Sequence, residues 1–516
     1  MSTQLLFQKA PARMSQSLDQ PSELSAANPY MVLLTVSLCT MLYSMTVTVV
    51  NVALPQLQGS LSASPDQIAW VVTLNVVGTA IVTPMTGWLT AKLGQRNLLL
   101  ASVAGFAVSS FLCATAQSLA PMLVYRVLQG MFGAPIVPVS QAVVLSTFGP
   151  EKRAMAQGFF GMAVVAGMGV APVIGGYIAE HYNWRAIFLL LVPVCIAAMM
   201  MTLAFIRKSE RGEDQPLDWT GFLSLSVAIA CLQLMLDRGE NLGWFESTEV
   251  ILYSAGFVLG SYLFVVHTLT CDRPFLNRAL LRDRNFAIGL ILVSFYGMLN
   301  FTPITLLPAM LQGLMGYPDS LVGWLLAMRG IGMIVGFYIA GRMGSVDPRI
   351  SMSIGFALIG ISGWALATVH PAMQAEWIAW AGLLQGLGSG ILWVPVTTAA
   401  FSTLSPKLLP DGAAIFHLLR NVGQSIYIAL SFIVIVRFSQ INYSELVQLL
   451  SPFNERLNYD QITGQWSTET APALQALGSE AFRQARLIAF NNAFLLYTWT
   501  CFAVIPLVLL WRKPRK

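Results

Sequence analysis

Apolar residues along this chain come in runs of about 20, the length a helix needs to cross a bilayer, separated by short polar segments. Each run is therefore predicted to be one transmembrane helix. We count fourteen such spans, near residues 30–54, 68–90, 98–117, 121–147, 154–179, 186–206, 218–236, 250–269, 285–312, 320–341, 350–369, 376–401, 412–437 and 488–511. An even number of spans predicts that both termini lie on the same side of the membrane.

The basic residues indicate which side that is. If the N-terminus is inside, twenty of the 29 Lys and Arg residues fall in cytoplasmic segments and five in segments on the opposite side. This asymmetry follows the positive-inside rule, so we expect both termini in the cytoplasm. It also accounts for the net charge of +5 without a nucleic-acid partner.

Composition and an internal repeat predict the fold class. Only 10% of the residues are charged, against about 25% in soluble domains. Leu128-Gln129-Gly130 in span 4 returns as Leu384-Gln385-Gly386 in span 12, eight spans later. Two six-span halves separated by two extra spans would give that offset, and repeated halves are a common plan of secondary transporters. We therefore predict an all-α polytopic membrane protein of 6+2+6 helices with pseudo-symmetric halves.

The predicted organisation has five parts along the chain. They are a cytoplasmic tail (1–29), an N-terminal half (30–206), two extra spans with linkers (207–284), a C-terminal half (285–511) with an outer-side loop (438–487), and a basic cytoplasmic tail (512–516).

Span 5 carries an unusual number of small residues. Gly167, Ala171 and Gly175 fall four apart, so they line one helix face that a neighbouring helix can approach closely. Pro172 removes a backbone hydrogen bond, and Gly176 beside Gly175 adds a soft point after it. We expect a bendable helix at the contact between two moving halves; ordinary small-residue packing is the alternative.

Three arginines, Arg126, Arg329 and Arg420, fall within spans, whereas every acidic residue falls in a tail, a loop or a span end. A bilayer arginine costs at least ~2.5–3.5 kcal/mol, so these three should face a water-filled cavity, backbone carbonyls or a bound anion. We predict a central cavity of positive potential, with capping of helix backbone as the alternative. Further candidates to line it are Tyr43, Thr46, Asn51, Gln129, His417 and Gln424.

His417 is the candidate that can titrate near neutral pH. It lies near the predicted cytoplasmic start of span 13. That position favours a surface histidine over a proton carrier.

Several segments, in chain order, resemble motifs of the major facilitator superfamily. They are the loop from Gly87 to Arg96, the span-4 segment Tyr125-Arg126-Val127-Leu128-Gln129-Gly130, the span-5 run Ala171-Pro172-Val173-Ile174-Gly175-Gly176, and Arg420-Asn421-Val422-Gly423 in span 13. More narrowly, the chain resembles the fourteen-span drug:proton antiporter branch of the EmrB/QacA type. The resemblance covers nearly the whole chain.

This resemblance implies alternating access, with gating roles for the span-5 segment and for Gly87, Gly94 and Arg96. It implies export of amphipathic compounds across a bacterial inner membrane, driven by a proton gradient and without a cofactor. It also implies a tripartite arrangement with a periplasmic adaptor and an outer-membrane channel as one form of assembly.

Two departures from the family pattern change the expected chemistry. Thr46 stands where the family usually has a proton-carrying aspartate, and Ala91 stands where its loop motif usually has an acid. Arginines without a carboxylate should disfavour organic cations and favour neutral or anionic substrates. An organic-anion or siderophore exporter that needs no embedded carboxylate, and a membrane sensor without transport activity, remain as alternatives. The sequence has no ATP-binding phosphate loop and no catalytic histidine arrangement, so we do not expect an enzyme.

Overall fold

A computed structural model describes residues 28–208, 216–271, 274–450 and 470–511. Within these ranges the regular structure is helical. The α-helices are α1 (Pro29–Ser60), α2 (Pro65–Val82), α3 (Thr86–Leu93), α4 (Gln95–Thr115), α5 (Leu119–Gly133), α6 (Ile136–Thr147), α7 (Arg153–His181), α8 (Trp184–Phe205), α9 (Trp219–Arg238), α10 (Thr248–Thr270), α11 (Arg278–Arg282), α12 (Arg284–Met315), α13 (Asp319–Arg342), α14 (Pro348–Leu366), α15 (Ala375–Ala400), α16 (Leu409–Gln448) and α17 (Ala471–Val508). The tail 512–516 and nearly all of the tail 1–29 lie outside the described residues.

The described residues contain 14 segments long and apolar enough to cross a membrane, which confirms the predicted number. The second span is two helices, because a 3₁₀ turn at Thr83–Met85 containing Pro84 separates α2 from α3. The fourth span is also divided, since α5 ends at Gly133 and α6 begins at Ile136, directly after a proline. Both breaks follow from the missing N–H of proline.

Side-chain caps fix where several helices begin and end. Ser64 and Gln67 form a reciprocal capping box at the start of α2, and the Asp283 carboxylate accepts a hydrogen bond from the Phe286 N–H at the start of α12, 2.9 Å away. α12 ends at Gly316, whose φ of +68° is left-handed and favours glycine. These caps provide hydrogen-bond partners for backbone groups at the ends of long apolar helices.

The two extra helices, α9 and α10, pack against each other, and α9 also packs against α2 and α16. Gly260 of α10 allows this pair to approach closely, because a Cβ there would lie 2.9 Å from the Ala228 backbone nitrogen. α10 exposes a row of large apolar side chains, at Leu252, Val258, Leu259 and Tyr262. Such a surface fits contact with lipid.

The two halves contact each other near their inner ends, taking the inner side from the charge asymmetry. A Cβ on Gly158 of α7 would lie 2.8 Å from the Phe337 carbonyl oxygen of α13, and one on Gly161 would collide with the Phe337 ring. Gly341 lies nearby, with its Cβ position 3.5 Å from Met155 Cα. The structure therefore shows the inner side closed by glycine-mediated helix packing.

The predicted outer-side loop at 438–487 is wrong for much of its length. α16 is 40 residues long and α17 is 38, so at 1.5 Å per residue each is about 60 Å long. A hydrocarbon core is about 30 Å thick, and both helices therefore continue several turns beyond it. Tyr443 and Phe482 stack edge to face at 5.7 Å between these extensions. Residues 451–469 of the predicted loop lie outside the described residues.

Candidate functional site

Arg126 is buried inside the N-terminal half. Its Nε donates a hydrogen bond to the Val71 carbonyl oxygen of α2 at 2.9 Å, and its Nη1 donates to Gln129 Oε1 on its own helix. Gln129 Nε2 in turn donates to Ser110 Oγ of α4 at 2.7 Å. Arg126 and Gln129 together therefore link α5 to α2 and α4 within one half.

Glycine makes this arrangement possible. A Cβ on Gly130 would lie 2.2 Å from the Asn75 carbonyl oxygen, so α5 and α2 meet backbone to backbone at this level. Asn75 Nδ2 also donates to the Arg126 carbonyl oxygen at 3.0 Å. Close backbone approach shortens the distance that the arginine side chain must span.

Arg329 has a corresponding position in the C-terminal half. Its Nη2 donates to both the carbonyl oxygen and the Oδ1 of Asn300 on α12, each at 2.7 Å. Its Nε donates to Gln385 Oε1 on α15. Gly386 allows the approach, because a Cβ there would lie 1.9 Å from the Arg329 carbonyl oxygen.

Arg420 has a different environment. Gly297 of α12 holds the α16 backbone close, with its Cβ position 2.0 Å from the Arg420 carbonyl oxygen. Among the described residues, the guanidinium has Asn421 Oδ1 as its hydrogen-bond acceptor, at 3.0 Å from Nη2. The rings of Trp393 and Phe301 lie 5.8 Å and 6.0 Å from its Cζ. Arg420 is half-buried, whereas Arg126 and Arg329 are 1% and 7% exposed, so Arg420 is the most exposed of the three.

The remaining polar candidates do not all gather around Arg420. Tyr43 is half-buried, and its hydroxyl donates to Thr79 Oγ1 at 3.2 Å. Thr46 is buried, and its hydroxyl donates a hydrogen bond to the Leu42 carbonyl oxygen of its own helix at 3.2 Å. Asn51 is exposed and Gln424 is half-buried. Their part in substrate binding stays a prediction.

The expectation of a surface histidine at 417 is wrong. His417 is 3% exposed, and its Nε2 is hydrogen-bonded to Gln141 Oε1, which links α16 of one half to α6 of the other. His417 Nδ1 and Gln141 Nε2 are buried without a hydrogen-bond partner in the described part of the chain. The error arose because α16 begins with Leu409 and packs its first turns between the halves.

The small-residue face of α7 packs within its own half. A Cβ on Gly167 would lie 2.8 Å from the Met41 side chain, and one on Gly175 would lie 3.4 Å from Val49, both on α1. Ala171 between them is fully buried. The helix continues through Pro172 and Gly176, whose immediate surroundings lie outside the described residues. The expected contact between halves is instead made earlier in α7, at Gly158 and Gly161.

The loop residues lie at the inner side, and Gly87 among them contacts the opposite half. Gly94 has φ +79° and joins α3 to α4, and Arg96 Nη2 donates to the Leu203 carbonyl oxygen at 2.8 Å. A Cβ on Gly87 would lie 1.4 Å from Asp411 Oδ1 of α16. The loop that lacks an acid at position 91 therefore contacts an acid supplied by the opposite half.

Asp411 is the residue that sequence reasoning missed. The sequence places it at a span end; in the structure it lies in the first turn of α16 and is half-buried. An acid in the first helical turn is ordinarily read as a partner of the helix dipole. Its contact with Gly87 depends on how two distant segments pack, which no local pattern reports.

Comparison with known proteins places this architecture in a family of transporters. The model of the Major Facilitator Superfamily matches residues 36–428. The human organic anion transporter MFSD10 has the same fold, with a TM-score of 0.61 at 15% identity over 93% of this chain and 100% of that one. The chain belongs to the major facilitator superfamily and is a multi-pass membrane protein.

Within that family the similarity is to multidrug exporters of the EmrB type. The multidrug export protein EmrB of Escherichia coli K12 is 31% identical over 96% of this chain and 98% of its own length. The fatty acid resistance protein FarB of Neisseria gonorrhoeae is 28% identical over 96% of this chain and 98% of its own length. The resemblance inferred from the motifs is thereby confirmed.

Proposed function

We propose that this chain is a multidrug exporter of the bacterial inner membrane that carries amphipathic neutral or anionic compounds by alternating access. The observation that carries the proposal is Arg420, a half-buried guanidinium whose Cζ lies 5.8 Å and 6.0 Å from the Trp393 and Phe301 rings and whose acceptor among the described residues is the Asn421 side chain. A carboxylate would pair with the free N–H groups, and an apolar body would pack on Phe301 and Trp393.

The same arrangement opposes organic cations. A positive ligand next to Arg420 meets like-charge repulsion in a low-dielectric setting, and such repulsion is a common source of specificity. The name of the relative FarB refers to fatty acids, which carry a carboxylate. This supports the anionic side of the proposed substrate range.

Alternating access requires the inner contacts to separate. In the closed arrangement Phe337 packs on Gly158 and Gly161, and His417 is hydrogen-bonded to Gln141 across the halves. The two contacts just named involve small or neutral groups. A rocking motion can therefore break them without exposing a network of ion pairs. The charge asymmetry supports cytoplasmic termini and hence this inner side as the cytoplasmic one.

We further propose that a proton gradient energises export, as the EmrB-type resemblance implies. Thr46 supplies no carboxylate, so coupling would use another titratable group, and Asp411 and His417 both lie at the contact between the halves. The second candidate is export or exchange of organic anions without protons, which the back-bonded Thr46 hydroxyl favours.

A flux experiment separates these possibilities. Proteoliposomes would carry an aromatic carboxylate, its neutral methyl ester or a quaternary ammonium of similar size, with and without a pH gradient. We expect the acid and the ester to move faster with the gradient than without it, and the cation to move slowest. Gradient-independent movement of the acid would favour the second candidate. The fastest transport for the cation would contradict the substrate proposal, and no flux of any compound would favour a sensor.

The outer extensions of α16 and α17 are our proposed site for a periplasmic adaptor of a tripartite pump. They expose large apolar side chains beyond the length needed to cross the membrane, at Ile441, Val447, Leu474 and Phe482. Exposed apolar patches of this kind mark protein contacts. Replacing Leu474 and Phe482 by serine should abolish co-purification of the adaptor and leave flux in proteoliposomes unchanged. Unchanged co-purification would contradict this assignment.

A further inference from the structure

Three metal-ligating side chains meet at the inner end of the two extra helices, away from the central arginines. Asp218 precedes α9, His267 lies in the last turn of α10, and Cys271 directly follows α10. One ligand atom from each residue lies within 4.8 Å of the other two. His267 and Cys271 are four residues apart, so the end of α10 presents them on the same side.

We propose that Asp218, His267 and Cys271 bind a divalent transition-metal ion of the Zn²⁺ class. Zinc takes thiolate, imidazole and carboxylate ligands in tetrahedral sites, and three protein ligands leave its fourth position for water. Calcium and magnesium prefer oxygen ligands, so the thiol selects against them. The site uses residues that have no part in the proposed transport cycle.

Asp218 is held in place for this role. Its Oδ1 accepts a hydrogen bond from the Gly221 N–H, and its Oδ2 accepts one from the Phe275 N–H, both at 3.0 Å. Burial alone would raise the pKa of Asp218, but these hydrogen bonds and the contact with His267 outweigh it, so the pKa lies below its ordinary value. The two backbone N–H groups fix the orientation of the carboxylate next to His267.

His267 presents its Nε2 to both carboxylate oxygens, at 2.8 Å and 3.0 Å. Ligand atoms around a tetrahedral zinc ion lie about 3.3 Å apart, so the pair would open by about half an ångström to admit the ion. In the metal-free protein the same atoms form a hydrogen bond. Metal binding would release the Cys271 thiol proton, and the proton on His267 Nε2 would leave or move to Nδ1.

An ion here would join the start of α9, through Asp218, to the end of α10, through His267 and Cys271. Asp218 also accepts a hydrogen bond from Phe275, which lies in the connector that leads to α12. Arg278 already attaches that connector, because its Nε donates to the Thr268 carbonyl oxygen at 2.8 Å and its Nη2 to the Cys271 carbonyl oxygen at 2.7 Å. A bound ion would fix the extra helices to the start of the C-terminal half.

Cobalt titration of the purified full chain, reduced and stripped of metal, tests the site. We expect a sulfur-to-cobalt absorption band that Zn²⁺ abolishes by displacing cobalt. Cys271→Ser should lose this band while leaving the Asp218–His267 hydrogen bond intact. His267→Gln should weaken the affinity by at least about tenfold. Cys231→Ser, which removes the half-buried thiol of α9, is the matched control and should leave the titration unchanged.

A labelling experiment tests the same site in membranes. Zn²⁺ should slow maleimide modification of Cys271 by at least about tenfold in the Cys231→Ser background, and His267→Gln should remove that protection. An unchanged labelling rate with zinc, or an unchanged cobalt band in Cys271→Ser, would overturn the proposal and leave a hydrogen-bonded Asp–His pair. Failure of transport in the flux experiment would not affect either result.

Discussion

Each half contains a buried arginine that donates to a glutamine side chain. The glutamines occupy repeated positions, but the arginines lie on different helices in the two halves. In the N-terminal half Arg126 and its amide partner Gln129 lie on the same helix. In the C-terminal half the repeated glutamine, Gln385, is present, but its arginine comes from the neighbouring helix as Arg329. The repeat places Gly382 where the first half has Arg126, and the Gly382 Cβ position lies 3.8 Å from Arg329 Cβ. What the two halves share is the guanidinium–amide contact in space.

Arg420 has no such satisfied set of partners. Arg126 and Arg329 are buried, and each donates to at least one oxygen of a neighbouring helix. Arg420 donates only to the flexible side chain of Asn421 among the described residues. This difference in burial and acceptors supports the proposed ligand contact at Arg420 and a structural role for Arg126 and Arg329.

The largest expected effect is on stability. Arg329→Ala leaves the Asn300 and Gln385 oxygens buried without their donor, and each such group costs about 1–3 kcal/mol. We expect a loss of about 3 kcal/mol or more, measured as a lower thermal midpoint of the detergent-solubilised protein. Arg126→Ala should cost less, about 2 kcal/mol, because its Val71 acceptor also belongs to the helix ladder. Equal thermal midpoints for wild type and both variants would contradict a structural role for Arg329 and Arg126.

The second effect is on substrate choice. Arg420→Gln should lower transport of the aromatic carboxylate by about 10- to 100-fold, because a hydrogen bond to a charged group contributes about 1.5–3 kcal/mol. Transport of its methyl ester should change little, and the thermal midpoint should stay near that of wild type. Arg437→Gln, an exposed position on the same helix, is the control. Equal losses for acid and ester would argue against direct anion contact.

The third prediction moves the arginine of the C-terminal half to the sequence position that the arginine has in the N-terminal half. Gly382→Arg in the Arg329→Ala background would restore a guanidinium three residues before Gln385, as in the N-terminal half. We expect it to recover about 1 kcal/mol of the lost stability through a hydrogen bond to Gln385. The same change in the wild-type background should destabilise, since two guanidiniums would then compete for one amide. No recovery would show that the halves differ in more than the position of the arginine.

The smallest effect concerns the aromatic wall beside Arg420. Phe301→Leu keeps an apolar side chain but removes the ring face, and a cation–π contact contributes about 0.5–1 kcal/mol. We expect a two- to fivefold higher half-saturating concentration for the carboxylate, with its maximal rate preserved, in the flux assay. Phe482→Leu, which replaces an exposed ring in the extension of α17, should have no such effect. A loss as large as that of Arg420→Gln would make the ring the dominant contact.

The sequence by itself determined the membrane architecture. Apolar run length set the fourteen spans, and the distribution of Lys and Arg predicted their orientation, because both properties act locally along the chain. The motifs around Gly87, Arg126, Pro172 and Arg420 pointed to the family for the same reason: each is a short segment whose residue types are visible without a fold. The sequence did not predict the outer extensions of α16 and α17. Their polar residues lie beyond the apolar runs that define the spans, and such residues are typical of loops.

Only the tertiary structure decided what the buried polar residues do. Three arginines look alike in the sequence, and their roles separate only when the acceptors around each are known. His417 was expected at the surface and lies between the halves, while Asp411 looked like a helix-end acid and contacts Gly87. Hydrogen bonding and burial of these groups depend on atoms that are distant in sequence and brought within about 3 Å by packing. That long-range proximity is the information that a pattern of single residues does not contain.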